Sequence, residues 1–386
     1  MSVVLKLINR NTLTTNIISV PKEFTEQNMT DYLNKILRKN ATYTYFRDAN
    51  SPSISDLNME DDCIIYYLEN RDVSRSLDVN NVLSLCYSND KKLVICKSDG
   101  EIIVFDIESK NIKSYTFEYP IIFLGKENFV GNNTDLSKKI NIYDTNSIQM
   151  NYKYDCEKET LNENNILSKL NVDYIVTINN IIITDKIKYS NKSLISCCFY
   201  KGNLLIIGCA DGNILIISNL IKQYSIKRNI CNVSILNESI VYCCVNGVAG
   251  MFKYNQDNEN LDKLNSDEDI QVICNFDKKE INCNEILCGM CIYEGEIFVA
   301  GMKGFVFKVN FDENKLKKIK KYKNCDFIKS ENGYIFCCAE DKIIFLDEKL
   351  SEKLVLNYNS VIRDICFSHD YIYFADKEGI FGNRCE

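Results

Sequence analysis

Lys97-Ser98-Asp99-Gly100-Glu101-Ile102-Ile103-Val104-Phe105-Asp106 decides the fold. Residues 92–96 before it and 101–106 within it are short runs rich in Val, Ile and Phe, which suit strands. Asp-Gly between them suits a tight antiparallel turn, because glycine takes positive φ without cost. The run 81–86 precedes this pair, so three strands form one set. Working outward, the set recurs at 194–199, 204–209 and 213–218 around Asp211-Gly212. It recurs at 233–236, 240–245 and 248–254 around Asn246-Gly247, and at 286–293, 296–300 and 305–310 around Lys303-Gly304. Residues 326–347 and 361–382 carry two more sets. No stretch from residue 73 onward carries a convincing helical stripe.

A spacing of about 35–45 residues is the period of β-propeller blades. Weaker units fit at 113–154, where Tyr143-Asp144 ends a run, and at 155–190. The spacing thus predicts a mostly β chain with eight blades favoured and seven possible. The last unit stops after its third strand. A closed ring then needs an outer strand from elsewhere, and residues 73–79 are the natural donor, because closure removes exposed sheet edges.

The stretch 97–106 looks like the closing half of a WD repeat, with Phe105 where tryptophan would stand. Tyr143-Asp144 and Phe345-Leu346-Asp347 are similar. The chain has no Gly-His dipeptide, no tryptophan and a single histidine. It therefore resembles a degenerate WD-repeat propeller, held by apolar packing with Phe, Tyr, Ile and Cys in its blade cores.

Composition excludes several functions. The formal net charge is −7, so a chain-wide basic surface is absent. No run of 18 apolar residues predicts a membrane span, and the N-terminus lacks a signal-peptide pattern. The 19 cysteines are then expected as free thiols in a reducing compartment. A triad or Cys-His pair would have to use His369, which stands in a polar turn. Cys288-Gly289-Met290-Cys291 is the one CxxC, inside a strand-like run. Residues i and i+3 of a strand face opposite ways, so it reads as two buried thiols rather than half a zinc site. The doublets Cys197-Cys198, Cys243-Cys244 and Cys337-Cys338 read as small hydrophobes.

Residues 1–72 form a different unit. Two β-prone runs, 3–8 and 15–20, flank a polar turn. Thr25 is a candidate N-cap with Glu26 in the first turn. Phe24 and Met29 are placed for a hydrophobic staple, and Met29, Leu33, Ile36 and Leu37 recur at helical spacing. Residues 42–46 and 63–68 are further strands. The order β-β-α-β-β suggests a ubiquitin-like fold, and periodicity also allows another small α+β roll. The predicted division is a head over 1–72 and a propeller over 73–386.

A ubiquitin-like head on a propeller resembles the Notchless family of ribosome-assembly factors and, more distantly, the WD-repeat subunit of the pescadillo complex. The residues are Val20-Pro21 with Thr25-Glu26, the run 32–37, Tyr43-Thr44-Tyr45-Phe46, and Asn58-Met59-Glu60-Asp61-Asp62 leading through 63–67 to Arg71-Asp72-Val73. Eight blades would favour Notchless, since the pescadillo partner has seven. The resemblance implies a non-enzymatic factor of the nucleus and nucleolus, with no membrane contact. Its head docks on the metal-dependent site of midasin, a AAA ATPase that remodels or releases it from the pre-60S particle. Glu60 matches the glutamate that completes a Mg²⁺ held by the partner, a hard ion that takes oxygen ligands. Asp61 and Asp62 could share or take over that role, and the segment also reads as a solvated acidic turn.

Six lysines cluster at Lys315, Lys317, Lys318, Lys320, Lys321 and Lys323. They suit an rRNA backbone contact, and equally the solvent-facing edge of an outer strand, where lysine discourages edge pairing. Residues 257–269 read as a solvated acidic insertion. A propeller adaptor in ubiquitin-dependent degradation is a second functional reading, and the missing diglycine after the head argues against a conjugated modifier.

Overall fold

The computed structural model describes residues 2–10, 13–21, 25–47, 63–72, 75–77, 79, 81–88, 92–106, 109, 111–125, 159–201, 204–218, 220–254, 270–273, 276–331, 334–339, 342–346, 352–357, 362, 364–367, 371–375 and 380–384. His369, the Tyr143-Asp144 pair and the acidic insertion lie outside them.

Beyond the head, the described residues form seven sheets arranged as blades. Their inner strands are Val82–Ser88, Ile121–Gly125, Ile195–Lys201, Ile230–Leu236, Leu287–Tyr293, Phe327–Glu331 and Asp364–Phe367. The last of these touches the first, so the ring closes. Among the described residues the count is seven, the lesser of the two numbers the spacing allows, because the weak units at 113–154 and 155–190 do not give two sheets there. Ile112–Thr116 is the outer strand of blade 1. Ile121–Gly125 pairs directly with Tyr174–Thr177 as the first two strands of blade 2. The chain between them is an insertion. It contributes Glu159–Thr160 as a parallel fifth strand on blade 1, and a five-residue helix, Ile166–Leu170, that the absence of a helical stripe did not predict.

The tight turns fall where the dipeptides placed them. Gly100, Gly212, Gly247 and Gly304 all have φ between 82° and 90°. At Gly304 a Cβ would lie 2.2 Å from the Tyr322 carbonyl oxygen, so a larger residue fits neither the torsion nor the space. Each of the four glycine carbonyls accepts an N–H from just beyond its blade's fourth strand, at Phe117, Ile226, Cys283 and Tyr322. The turn therefore clamps the outer strand to its blade.

Polar contacts join every pair of neighbouring blades, in place of the histidine network this sequence cannot build. Ser84 donates to the Ile121 carbonyl at 3.3 Å, and Ile195 N–H donates to the Asn180 side chain at 3.1 Å. Ser196 donates to Ile230, Asn232 to Met290, Ser330 to Ile292 and Lys329 to Ile365, all at backbone carbonyls. Asp364 accepts the Leu85 N–H at 2.9 Å and closes the circle. Between these contacts the blades pack buried Ile, Val, Phe, Tyr and Cys.

The head is a mixed sheet with one helix: β1 (Ser2–Asn9), β2 (Thr15–Pro21), α1 (Glu26–Leu37), β3 (Tyr43–Phe46) and β4 (Cys63–Glu69), in the order β2-β1-β4-β3. β1 and β4 run parallel. Thr25 caps α1 in a capping box with Asn28. Met29 and Leu33 bury against Leu5, Leu7, Tyr43, Tyr45, Ile65 and Tyr67. Ile36, expected in that stripe, is 42% exposed.

Two short strands tie the head to the ring. β5 (Arg71–Asp72) pairs in parallel with Glu352–Asn357, the outer strand of blade 6. β6 (Arg75–Leu77) pairs antiparallel with Ile380–Arg384 and supplies the missing fourth strand of blade 7. The donor strand thus comes from within 73–79 as the sequence requires. The expected boundary shifts, because residues 71 and 72 already belong to a propeller sheet.

Candidate functional site

Strand alternation gives the head sheet two faces. Tyr43, Tyr45, Ile65 and Tyr67 meet α1, while Phe46 and Leu68 point the other way. Both are at most 2% exposed, in one buried cluster with Tyr322, Cys325, Ile328 and Val355 of blades 5 and 6. Burying two such side chains contributes roughly 1.5–3 kcal/mol each. The Arg10 guanidinium stacks 4.0 Å over Phe46, and Asn357 donates to Thr42 at 2.8 Å. The head is therefore packed onto the ring as well as tethered to it.

An ion pair lies beside this junction. Lys320 Nζ is 3.2 Å from Glu352 Oε1, with side chains 4% and 0% exposed. The Tyr322 hydroxyl also donates to that oxygen, and Glu352 Oε2 has no hydrogen-bond partner among the described residues. Burial holds the Lys320 ammonium below the usual lysine range, against the pull of Glu352, and the nearby Arg10 charge lowers it further. Lys320 therefore leaves the set of RNA-contact residues. A bulge at Ile319 shifts the alternation, so Lys320 falls opposite buried Val306 on the face turned to the junction, while Lys318 and Lys321 fall opposite Phe307 and Phe305 on the other face.

Lys315, Lys317, Lys318, Lys321 and Lys323 remain exposed. All but Lys323 lie on Lys315–Lys321, the outer strand of blade 5. Lys318 and Lys321 hold their ammonium groups 4.3 and 4.0 Å from the centre of the Phe305 ring. Lys315 pairs with Glu313.

Glu60, Asp61 and Asp62 lie outside the described residues. The strand they lead into is described. β4 starts at Cys63, beside Leu5, and ends at Glu69 next to the junction. At about 3.3 Å per residue it spans roughly 20 Å; Leu68 and Tyr66 pack into the junction cluster, and Ile64, nearer the start of the strand on the same face, is 43% exposed.

The cysteines form no metal centre among the described residues: no three of His, Cys, Asp or Glu are placed to share an ion. Fifteen described cysteines are free, and most are buried. Burial pushes the thiols of Cys96, Cys244 and Cys291 up to about 12. The CxxC departs from the expectation of opposite faces. A bulge between Leu287 and Gly289 resets the alternation, and both Cys288 and Cys291 join the junction cluster. Cys325 and Cys337 lie 3.1 Å apart there, and Cys231 and Cys243 are 3.3 Å apart in blade 4. The close pairs follow from three-dimensional strand pairing, which no local spacing announces. Among the described residues no helix is long and apolar enough to cross a membrane.

No family model and no curated protein matches the chain. Solved structures do. The WD40 β-propeller domain of Doa1 is similar with a TM-score of 0.54 and 11% identity, over 81% of this chain and 95% of that one. Virginiamycin B lyase from Staphylococcus aureus gives 0.54 and 12%, over 80% and 98%. The computationally designed protein Ika8 gives 0.52 and 8%, over 82% and 98%. At such identities the likeness concerns the fold alone: the ring is a WD40-type β-propeller.

Proposed function

We propose that this chain is a non-enzymatic assembly factor of the large ribosomal subunit, whose head serves as the handle by which the AAA ATPase midasin grips it. One observation carries the reading. The head is fixed to the ring by a buried cluster and two strand pairings, while Ile64 near the start of β4 stays exposed outside that cluster. The acidic segment 58–62 immediately precedes β4 in sequence. Three consecutive carboxylates are hard oxygen donors, and the Glu60 carboxylate would complete a Mg²⁺ held by the partner. Force applied there would reach the propeller without first having to order a loose linker.

The seven-sheet count favours one of the two families named from the sequence. It suits the WD-repeat subunit of the pescadillo complex, which acts earlier in pre-60S maturation, over Notchless. Both readings place the chain in the nucleus and nucleolus, with pre-60S ribosomal proteins and rRNA as its surroundings. WD40 propellers commonly act as scaffolds, which fits a factor without catalysis of its own. The test is purification of the tagged chain from its own cells. Recovery of large-subunit rRNA precursors with a midasin-like ATPase supports the reading. Recovery of ubiquitin-pathway components without precursor rRNA supports the adaptor reading and contradicts it.

A further inference from the structure

We propose that the outer edge of blade 5 is a contact surface for the phosphate backbone of RNA, with Lys317, Lys318 and Lys321 as its principal charges. The proposal does not depend on the head or on any ATPase. Three observations on this edge support it. First, the strand Lys315–Lys321 ends its sheet with no further strand paired to it among the described residues. Blades 1, 3 and 6 each carry an added parallel strand at the same place, from Glu159–Thr160, Ile270–Ile273 and β5. Among the described residues the blade 5 edge, like those of blades 2, 4 and 7, carries no such strand.

Second, the charge on it is unbalanced. Among the described residues Glu313 is matched to Lys315, and no acidic side chain pairs with Lys317, Lys318 or Lys321. Exposed Lys303 adds to the patch, and its carbonyl accepts from Lys321 Nζ. The neighbouring Lys308 and Lys279 are matched to Glu296 and Asp312. In a chain of net charge −7, an unmatched cluster of this kind is a local exception.

Third, the cluster is ordered rather than splayed. The Phe305 ring collects the ammonium groups of Lys318 and Lys321, and Phe307 lies 5.9 Å from Phe305. Cation–π attraction positions each of the two ammonium groups against one ring, which limits the ordering cost of a phosphate contact. Lysine offers compact point charges suited to phosphate oxygens, without the planar fork that reads a base edge. The contact is therefore independent of base sequence.

An acidic peptide is the competing anionic partner, and the edge disfavours it. Strand addition is the mode by which such a peptide would gain backbone hydrogen bonds as well as charge contacts here. The bulge at Ile319 interrupts the ladder midway along the edge, which spoils strand addition. A polynucleotide needs positioned charge and no ladder, and a peptide bound through its carboxylates alone is told apart by the competition below.

The experiment uses the full chain and a fluorescein-labelled single-stranded RNA, read by anisotropy between ~50 and ~200 mM salt. The wild-type chain should bind with steep salt dependence. The variant K317E/K318E/K321E should bind at least about tenfold more weakly, and each lost contact should reduce the logarithmic salt slope by about 0.7. The milder K317Q/K318Q/K321Q should fall between them, which keeps the test usable if the charge reversals fail to fold. Lys35→Glu and Lys192→Glu, exposed elsewhere, should leave the affinity within about threefold of wild type. Absence of RNA binding by the wild-type chain, or unchanged binding by the triple glutamine variant, overturns the proposal. So does displacement of the RNA by polyglutamate of equal charge as readily as by unlabelled RNA.

Discussion

Asp364 on the innermost strand of the last blade accepts the backbone N–H of Leu85 on the first, at 2.9 Å and across 279 residues of chain. The other carboxylate oxygen accepts the Ile365 N–H at 2.8 Å. With β6 on the outside of blade 7 and this bond on the inside, the ring is sealed at both radii. Burial pushes the Asp364 carboxyl above the ordinary carboxylate range, while Lys329 and the two N–H groups oppose the shift.

That seal predicts a pH signature. A carboxyl whose folded value is raised contributes stability that is fully present below its unfolded value and is lost as pH rises through the folded one. The substitution Asp364→Asn removes this dependence, because the amide does not titrate. Urea unfolding of wild type and Asp364→Asn should show the wild type gaining on the variant as pH falls from neutral toward the ordinary carboxylate range. Asp364→Ala should cost about 1–3 kcal/mol at any pH, since it leaves the Leu85 N–H without its partner.

The Lys320–Glu352 pair predicts asymmetric mutational costs. Lys320→Ala leaves a carboxylate uncompensated in the junction and should destabilise the chain by about 3–5 kcal/mol. The double change Lys320→Met with Glu352→Leu removes both charges and should recover most of that loss. Equal instability of single and double variants in denaturant melts would contradict a buried pair.

Strand donation predicts a length-dependent threshold. A chain beginning at Arg71 keeps β5 and β6, and one beginning at Asn80 keeps neither. Hydrogen exchange over Ile380–Arg384 should be markedly faster in the shorter chain, because β6 is its hydrogen-bonding partner. Similar protection in the two would argue against closure by β6.

Thiol chemistry offers a simple check on the core. The buried cysteines, with pKa values pushed upward, should react slowly in the native chain at about pH 8, because the thiolate is the nucleophile. Unfolding should release close to all 19. Most thiols reacting at once under native conditions would contradict the packing.

Much of this architecture is legible in the sequence because its signals are local. Asp-Gly and Asn-Gly turns, alternating runs and the Thr25 cap each need only a few neighbouring residues. The blade count is less legible, since the insertion after Ile121–Gly125 separates strands that pair with each other. The Lys320 placement is hidden for a similar reason: a bulge shifts the alternation by one residue, and its partner Glu352 is 32 positions away. The junction of head and ring could be anticipated only in part. Phe46 and Leu68 read as ordinary strand residues, and nothing local says that the second face of the head sheet is covered.

The most direct test of the account is capture of midasin's metal-dependent domain by the full chain, with and without Mg²⁺. Wild type should bind in Mg²⁺ and lose binding on chelation. Glu60→Ala should fail, and Glu60→Asp should fail too, because the shorter carboxylate does not reach the ion. Neither change should shift stability by more than about 0.5 kcal/mol if Glu60 stands in a polar turn. Equal, metal-independent capture of wild type and Glu60→Ala would contradict the handle. Loss of capture on changing Asp61 or Asp62 alone would keep the handle and move the ligand to that residue.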